Sequence, residues 1–417
     1  MLGVNLKKIF LFLRNLTIIT IITLFLLEFV LRIFPQMIPP VLLIHFNPKM
    51  RKQIAKGRFL TVSDTFEYAR DDFGPPLRLL KPFTMQSWRH TDERGDIYRA
   101  QLDEIGFCNS PETYSRTSVV DIVTIGDSFT WCTAVKPEAT WTSQLGRLSG
   151  ASTLNLGRGG VGPYEYLQIL KGYGIQKKPK IVILTIYEGN DLRDVLKYQD
   201  YRNNIRRSPD HSAIPQKREK SVISRYSYSY NLMQSFLKYL MHSPLSANDE
   251  VDIQADGVNF RYNINFPDRS IQFNGENTDR DEVRHARGLR AKEIDLQVFR
   301  DALKAFVQLS RQNQFIPVIL YMPSAHTTYA ANTVFDDHDL SILMPWFSLE
   351  QRNFFKIQGQ KLGYKFIDLT PSLQSSAILA GSYNLLYYRL NLHLTNYGHK
   401  IVAETVLQNL RSMHLLR

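Results

Sequence analysis

Ser128 stands in the run Gly126-Asp127-Ser128-Phe129-Thr130, directly after a stretch rich in β-branched residues. Ligands of α/β sheets bind outside the carboxyl ends of the strands, so a serine there is placed for nucleophilic attack, and Gly126 permits the tight turn it needs. By itself Gly-Asp-Ser is equally a strand-to-helix turn capped by Asp or Ser. Further on, Asn155-Leu156-Gly157-Arg158-Gly159-Gly160-Val161-Gly162-Pro163 holds four glycines in six residues. That loop is either merely tight or brings a backbone N–H toward an oxyanion. Tyr187-Glu188-Gly189-Asn190-Asp191 offers an asparagine that donates to the same oxyanion or caps a turn. Finally, Asn391-Leu392-His393-Leu394-Thr395 sets a histidine just before the last helix, where it can come back over the strand ends as a base for Ser128 or be an ordinary loop histidine. A serine with a base and oxyanion donors is the chemistry of acyl transfer.

The elements around these residues alternate. Ser118–Ile125 reads as a buried strand. Pro137–Leu148 reads as a helix with Pro in its first turn and Trp141, Leu145 and Leu148 on one face. Thr153–Leu156 is a short strand, Tyr164–Tyr173 a helix and Lys180–Tyr187 a second buried strand. Residues 195–290 interrupt the pattern. They carry a basic loop (Arg202, Arg206, Arg207, Lys217, Arg218, Lys220), a helix-like aromatic piece at Tyr226–Leu240 and a strand-like piece at Asn259–Phe273, and they read as an insertion and candidate lid. The pattern resumes with a helix near 292–313, strands at Ile316–Tyr321 and Lys365–Asp368, and a last helix from about Thr395. Such alternation predicts a parallel sheet with helices on both faces.

In this order the four blocks resemble the SGNH/GDSL hydrolase family, with Gly126–Thr130 matching its first block, Gly160 the second, Asn190 the third and His393 the last. The resemblance covers roughly residues 118–194 and 290–413. Tyr-Glu-Gly-Asn-Asp-Leu at 187–192 and the glycine loop resemble a bacterial, membrane-anchored branch, related in part to enzymes that add or remove O-acetyl groups on cell-envelope polysaccharides. The resemblance implies an α/β three-layer sandwich with a central parallel sheet, SGNH/flavodoxin-like, and a reaction with no cofactor and no metal. It implies that Ser128 attacks an ester carbonyl while His393 takes the proton and returns it to the leaving alcohol. The backbone N–H groups of Ser128 and Gly160 and the Asn190 side chain would hold the oxyanion, each donor being worth ~3 kcal/mol. Asp127 and Asp191 would support the turns, and His399 would be structural. The sequence departs from the pattern at one place. The family usually carries Asp two or three positions before the histidine, and here stand Asn391 and Leu390. Either Asn391 orients His393 without adding charge, or Asp368 or Glu188 substitutes, or the site is weak or dead.

The stretch 9–34 is apolar between Arg14 and Glu28 and, with its flanks, long enough to cross a bilayer. Glu28 and Arg32 are spaced to pair on one helical face. No small-residue cleavage site follows, so residues 1–36 read as an uncleaved transmembrane anchor. Lys7, Lys8 and Arg14 favour a cytoplasmic N-terminus, whereas Lys49, Arg51, Lys52, Lys56 and Arg58 argue the other way. The expected organisation is that anchor, a lead-in segment at 37–115 and an extracytoplasmic hydrolase domain at 116–417. The 417 residues carry a formal net charge of +12, with 44% hydrophobic and 22% charged residues, the balance of a folded chain. No nucleic-acid-binding signature accompanies the positive charge, which leaves an anionic membrane or acidic polymer. The expected partners are an O-acylated carbohydrate or lipid and the membrane. Cys108 and Cys132 either form one bridge or remain two free thiols, and two buried small hydrophobes is the favoured reading.

Overall fold

Runs such as Ile181–Tyr187, apolar at nearly every position, can only be strands covered on both faces. The computed structural model describes residues 6–38, 50, 65–67, 78–80, 85–88, 98–207, 223, 226–241, 261–274 and 277–416. Two compact units emerge, one of residues 1–64 and 210–254, the other of 65–209 and 255–417.

The larger unit is an α/β fold with a central five-stranded parallel sheet and helices on both sides. Its strands are β1 (Ile122–Ile125), β2 (Thr153–Asn155), β3 (Ile181–Tyr187), β6 (Ile316–Met322) and β8 (Lys365–Asp368), in the spatial order β8-β6-β3-β1-β2. All residues of β1 and β3 are buried. In β1 Ile122 pairs with Ile181 of β3 and with Thr153 of β2, so the sheet grows outward in both directions from β1. The connection from β2 back past β1 to β3 reverses the winding. The resulting switch point opens a crevice at the carboxyl ends of β1 and β3, where open α/β sheets bind ligands.

The helices of this unit are α2 (Trp141–Ser149), α3 (Pro163–Ile169), α4 (Asp191–Arg207), α6 (Asn277–Arg290), α7 (Arg300–Asn313), α8 (Leu340–Leu362), α9 (Thr370–Ala380) and α10 (Asn396–Ser412). Several boundaries differ from expectation, each for a local reason. The strand expected from Ser118 begins at Ile122, after Asp121 has been taken up by Ser152 and Lys180. The helix expected at Pro137–Leu148 is broken at Thr140, which caps α2 by accepting from the Ser143 N–H. Leu148 is exposed, and the buried residues are Trp141, Thr142 and Leu145. Helix α3 passes at Leu170 into a π-turn ending at Gly174. The helix near 292–313 is α7, entered through a 3-10 turn at Leu296–Phe299. The strand-like piece at Asn259–Phe273 is a hairpin of β4 (Arg261–Asn265) and β5 (Ser270–Asn274). With β7 (Thr333–Phe335) it forms a separate antiparallel sheet. Tyr262, Ile264 and Phe273 nevertheless belong to the main hydrophobic core. This part of the insertion is therefore packed structure and not a detached lid.

Cys108 and Cys132 form a disulfide, with their Cα atoms 5.9 Å apart, the less favoured of the two states that the sequence leaves open. Among the described residues, the lead-in otherwise shows two short antiparallel strand pairs, Thr65–Glu67 with Arg78–Leu80 and Met85–Trp88 with Tyr98–Gln101. The prolines at 39–40, 75–76 and 82, the basic residues from Lys49 to Arg58, and 208–222 of the basic loop lie outside the described residues.

The smaller unit contains α1 (Leu6–Ile33), one stretch of which, Arg14–Ile33, is long and apolar enough to cross a membrane. It also contains α5 (Tyr228–Met241), which packs on α1.

Candidate active site

Where β1 ends, the chain makes a sequence of turns rather than the helix expected after Ser128. The carbonyl of Asp127 accepts from the N–H groups of Thr130 and Trp131 at 3.2 and 3.0 Å, and its carboxylate Oδ1 accepts from the Phe129 N–H at 2.9 Å. Asp127 therefore shapes the turn that presents Ser128. A Cβ on Gly157 would lie 2.6 Å from the Trp131 backbone nitrogen, so only glycine lets the glycine loop close against this turn. Gly159 closes against it too, since a Cβ there would stand 3.5 Å from the Ser128 Cβ.

Ser128 Oγ lies 2.8 Å from His393 Nε2. His393 Nδ1 lies 2.8 Å from the main-chain oxygen of Asn391. A carbonyl can only accept, so Nδ1 carries the proton and Nε2 is left with a lone pair facing the Ser128 hydroxyl. That is the tautomer a general base requires. The Asn391 side chain does something else: its Oδ1 accepts from the His393 N–H at 3.1 Å and closes an Asx turn. The turn puts Leu392 at φ 57, and Tyr388 donates its N–H to the His393 carbonyl at 2.8 Å. The imidazole stacks on Phe129, centroids 4.8 Å apart, and Phe129 stacks on Tyr187 at 3.7 Å. Loss of solvation holds the His393 pKa down at about 4, against a smaller upward pull from the Asn391 carbonyl.

Neither substitute acid reaches His393. Asp368 accepts from the Thr370 N–H at 2.9 Å at the start of α9 and pairs with Arg352 at 3.4 Å. Glu188 is wholly buried and accepts from the hydroxyls of Tyr321, Thr327 and Ser348. His399 is occupied elsewhere, its Nδ1 accepting from the Trp141 N–H at 3.2 Å. Burial, reinforced by His393, lowers its pKa to about 3, so it is a neutral acceptor that fastens α10 to α2.

Gly160 is exposed at φ 73, a left-handed conformation that leaves its surroundings open. Asn190, at the start of α4, is 8% exposed. Its Nδ2 donates to Asp194 Oδ2 at a long 3.3 Å, and its Oδ1 is buried without a hydrogen bond. Asp191 is fully buried, accepting from the Tyr166 hydroxyl at 2.6 Å and the Tyr187 N–H at 2.9 Å, which pins the end of β3 to the start of α4. Loss of solvation raises the Asp127 pKa to about 7; Asp194 adds to the rise, while Phe129, Arg193 and the Asn190 side chain oppose it. Asp191 is held well above the usual carboxylate range, first by burial and then by Asp127. The floor of the crevice is thus a group of carboxylates that resist ionisation.

A further set has the donor types of a metal site. Glu188, Glu282 and His326 bring one ligand atom each to within 4.8 Å of the others. Their oxygens already accept from hydroxyls, Ser324 donating to Glu282 at 2.9 Å, and His326 Nε2 lies 3.0 Å from the same Glu282 oxygen. The arrangement is satisfied as a buried hydrogen-bond network. The sequence reading missed it because Glu282 and His326 belong to no motif and meet Glu188 only through the fold.

No family profile matches the chain, and no curated protein does. Solved structures similar to it include a protein described as lipolytic and of the G-D-S-L family from Desulfitobacterium hafniense DCB-2. It is 14% identical, with a TM-score of 0.36, over 69% of this chain and 98% of that one. The acetyl xylan esterase AlAXEase is 12% identical, with a TM-score of 0.34, over 70% and 99%. LAE5, an α/β hydrolase from the metagenome of Lake Arreo, Spain, is 11% identical, with a TM-score of 0.36, over 72% and 98%. Similarity at this level does not place the chain in a family.

Proposed function

We propose that this chain is a serine esterase or acyltransferase acting on an O-acylated, preferentially O-acetylated, carbohydrate or lipid at the cell envelope. The observation that carries the reading is the contact of Ser128 Oγ with a His393 Nε2 whose other nitrogen is fixed as a donor. In this mechanism Ser128 Oγ attacks the acyl carbonyl and its proton passes to His393 Nε2. The negative oxygen is held by the N–H groups of Ser128 and Gly160 and by the Asn190 side chain. Collapse expels the alcohol, which takes the proton from His393. Water or an acceptor hydroxyl then gives up its proton to His393 and bonds to the acyl carbon, and as the bond to Ser128 Oγ breaks His393 returns that proton to Oγ. Asn391 fixes the ring through its carbonyl oxygen, so the pair works as a dyad without a charged third member.

The same reading makes the chain a single-pass membrane protein with its catalytic domain outside the cytoplasm. Two observations support this: the apolar span in α1, and the Cys108–Cys132 disulfide, a bond that persists in oxidising compartments. One observation favours a second reading, a catalytically weakened protein that binds a polysaccharide or a partner enzyme. No carboxylate among the described residues hydrogen-bonds His393, and its imidazolium would stand uncompensated. Hydrolysis of p-nitrophenyl acetate separates the two. The esterase reading expects a burst of p-nitrophenol that Ser128→Ala removes, leaving at most the 10³–10⁴-fold residual rate that binding alone can supply. A burst absent from the wild type would leave only the binding reading, and one unchanged in Ser128→Ala would overturn Ser128 as the nucleophile.

A further inference from the structure

Helix α5 is built the wrong way round for water. Its buried positions include Asn231, 3% exposed, and Ser235, fully buried, both polar. Its outward positions include Met233 at 50%, Phe236 at 51% and Leu237 at 44% exposure. These three follow a 3–4 spacing and form one stripe, continued toward the N-terminus by exposed Tyr226. A helix that turns polar groups toward its neighbour and bare apolar side chains outward is arranged for a surrounding of hydrocarbon, where small polar residues act between helices.

The neighbour is α1; Tyr228 and Leu232 pack on a small apolar cluster of Leu31, Ile38 and Met50, and the rest of the joint is polar. The Glu28 carboxylate accepts from the N–H groups of Tyr228 and Ser229 at 3.1 and 2.9 Å, and from the hydroxyls of Ser227 and Ser229 at 3.0 and 2.8 Å. It caps the first turn of α5 from another helix, where a negative charge meets the unsatisfied N–H groups. Arg32 completes the joint, donating to Glu28 at 2.9 Å and to the Tyr226 carbonyl at 2.6 Å. An ionisable residue inside an apolar span is expensive unless paired, and here its partners belong to α5. Glu28 sits five residues before the end of α1, about 7.5 Å along the axis, so α5 starts just inside one end of the apolar span, the depth at which interfacial helices bury their apolar faces. Its 14 residues extend about 21 Å, too short to cross the ~30 Å hydrocarbon layer.

We infer that α5 is a second membrane element, lying in the bilayer interface against α1 with Met233, Phe236 and Leu237 among the acyl chains. The occupant of the stripe is lipid because α5 packs on α1, the helix read as membrane-spanning, whose own apolar side chains Phe25, Leu26 and Phe29 are likewise exposed. This inference rests on the reading of α1 as membrane-spanning. It assigns the aromatic part of the insertion to membrane attachment.

Site-directed spin labelling of the full chain in phosphatidylcholine–phosphatidylglycerol vesicles tests it. Cys108 and Cys132 are bonded to one another, so single cysteines at Leu237, Phe25 and Ser375 can be labelled selectively. All three positions are exposed, which spares the fold. The expected result is that L237C and F25C relax more strongly with oxygen than with a water-soluble nickel chelate, and S375C the reverse. A label at 237 that is open to the nickel chelate while 25 is shielded overturns the inference and leaves the anchor standing. Nickel access at both positions overturns both. A label at 237 shielded from oxygen and nickel alike means that protein covers the stripe, and also overturns it. F236C repeats the measurement on the same stripe.

Discussion

At the scale of single residues the chemistry turns on how His393 is held. Its ring is fixed by a main-chain carbonyl, while the Asn391 side chain spends its oxygen on the turn. With the pKa down at about 4, the imidazole is neutral and able to accept a proton at any pH well above that value. We expect the acid limb of kcat/KM against pH to fall near pH 4 and the profile to be flat from there to neutrality. Asn391→Asp keeps an acceptor for the His393 N–H and adds a negative charge beside the ring. That charge favours imidazolium, so it should raise the His393 pKa, move the acid limb to higher pH and lift the plateau. In a working triad the opposite change costs about four orders of magnitude; recovery of even a tenfold part would show in the plateau. An unmoved limb would mean that the new carboxylate is screened from the ring. Asp368→Asn should leave kcat/KM within about threefold, because Asp368 serves the start of α9 and Arg352. Its cost should appear in thermal unfolding instead, at no more than about 1 kcal/mol for the lost ion pair with Arg352, since Asn still accepts from the Thr370 N–H.

At the scale of elements, the nucleophile turn depends on supports from distant parts of the sequence. The Asn155 side chain donates to the Thr130 carbonyl at 2.7 Å and accepts from the Gly157 N–H at 2.9 Å, tying the turn after β1 to the loop after β2. Asn109 donates to the Asn155 carbonyl at 2.9 Å and to Asp103 at 2.7 Å, bringing in the lead-in. The Cys108–Cys132 bridge closes the same region across 24 residues. A loop of that length should contribute on the order of 3 kcal/mol by restricting the unfolded chain. The double variant Cys108→Ala, Cys132→Ala should therefore unfold at lower urea with little change in the slope of the transition. A transition at the wild-type midpoint would show that the hydrogen bonds alone hold the lead-in to the turn.

At the scale of the whole molecule, the buried acids set how stability varies with pH. Burial is the largest cause in each of four carboxyls, raising Asp103 to about 6 and Asp127, Glu165 and Glu188 to about 7. A carboxyl whose folded pKa lies above its unfolded value binds its proton more tightly when folded. Its stabilising contribution is complete below about pH 4 and is lost as the pH rises through 7. His393 and His399, lowered to about 4 and about 3, act in the opposite sense: their contribution is complete above about pH 6.5 and is lost on acidification. The carboxyls outnumber the histidines, so unfolding free energy from urea titrations should fall between pH 5 and 7. Asp127→Asn keeps an acceptor for the Phe129 N–H and cannot ionise, so it should flatten that slope. A slope as steep as wild type would mean that Asp127 does not hold its proton in this range.

Taken alone, the sequence determined what period and composition encode. The buried runs at 122–125, 181–187 and 318–322 read as strands of a covered parallel sheet because they are short, rich in β-branched residues and covered on both faces. The apolar span in α1 is a matter of length and hydropathy alone. The motif residues Ser128, Gly160, Asn190 and His393 could be named because each ends a strand or precedes the last helix, and the edge of the sheet is fixed by topology. What the sequence could not contain was pairing between residues far apart. Cys108 with Cys132, Glu28 with the first turn of α5, and Glu188 with Glu282 and His326 follow no local period. Nor could it show which oxygen of Asn391 meets the imidazole, since one side chain and one carbonyl of the same residue compete and the Asx turn decides between them. Helix α8 escaped notice for a related reason. Its buried face runs through Leu340, Leu343, Met344, Phe347, Ser348, Gln351, Phe355 and Gln358 at helical spacing, but three of these are polar while Ile342, Leu349 and Ile357 are exposed, and Pro345 stands within its first two turns. A periodicity argument needs apolar residues on the buried face and polar ones on the wet face; where the two are mixed, only the assembled fold shows which face is covered.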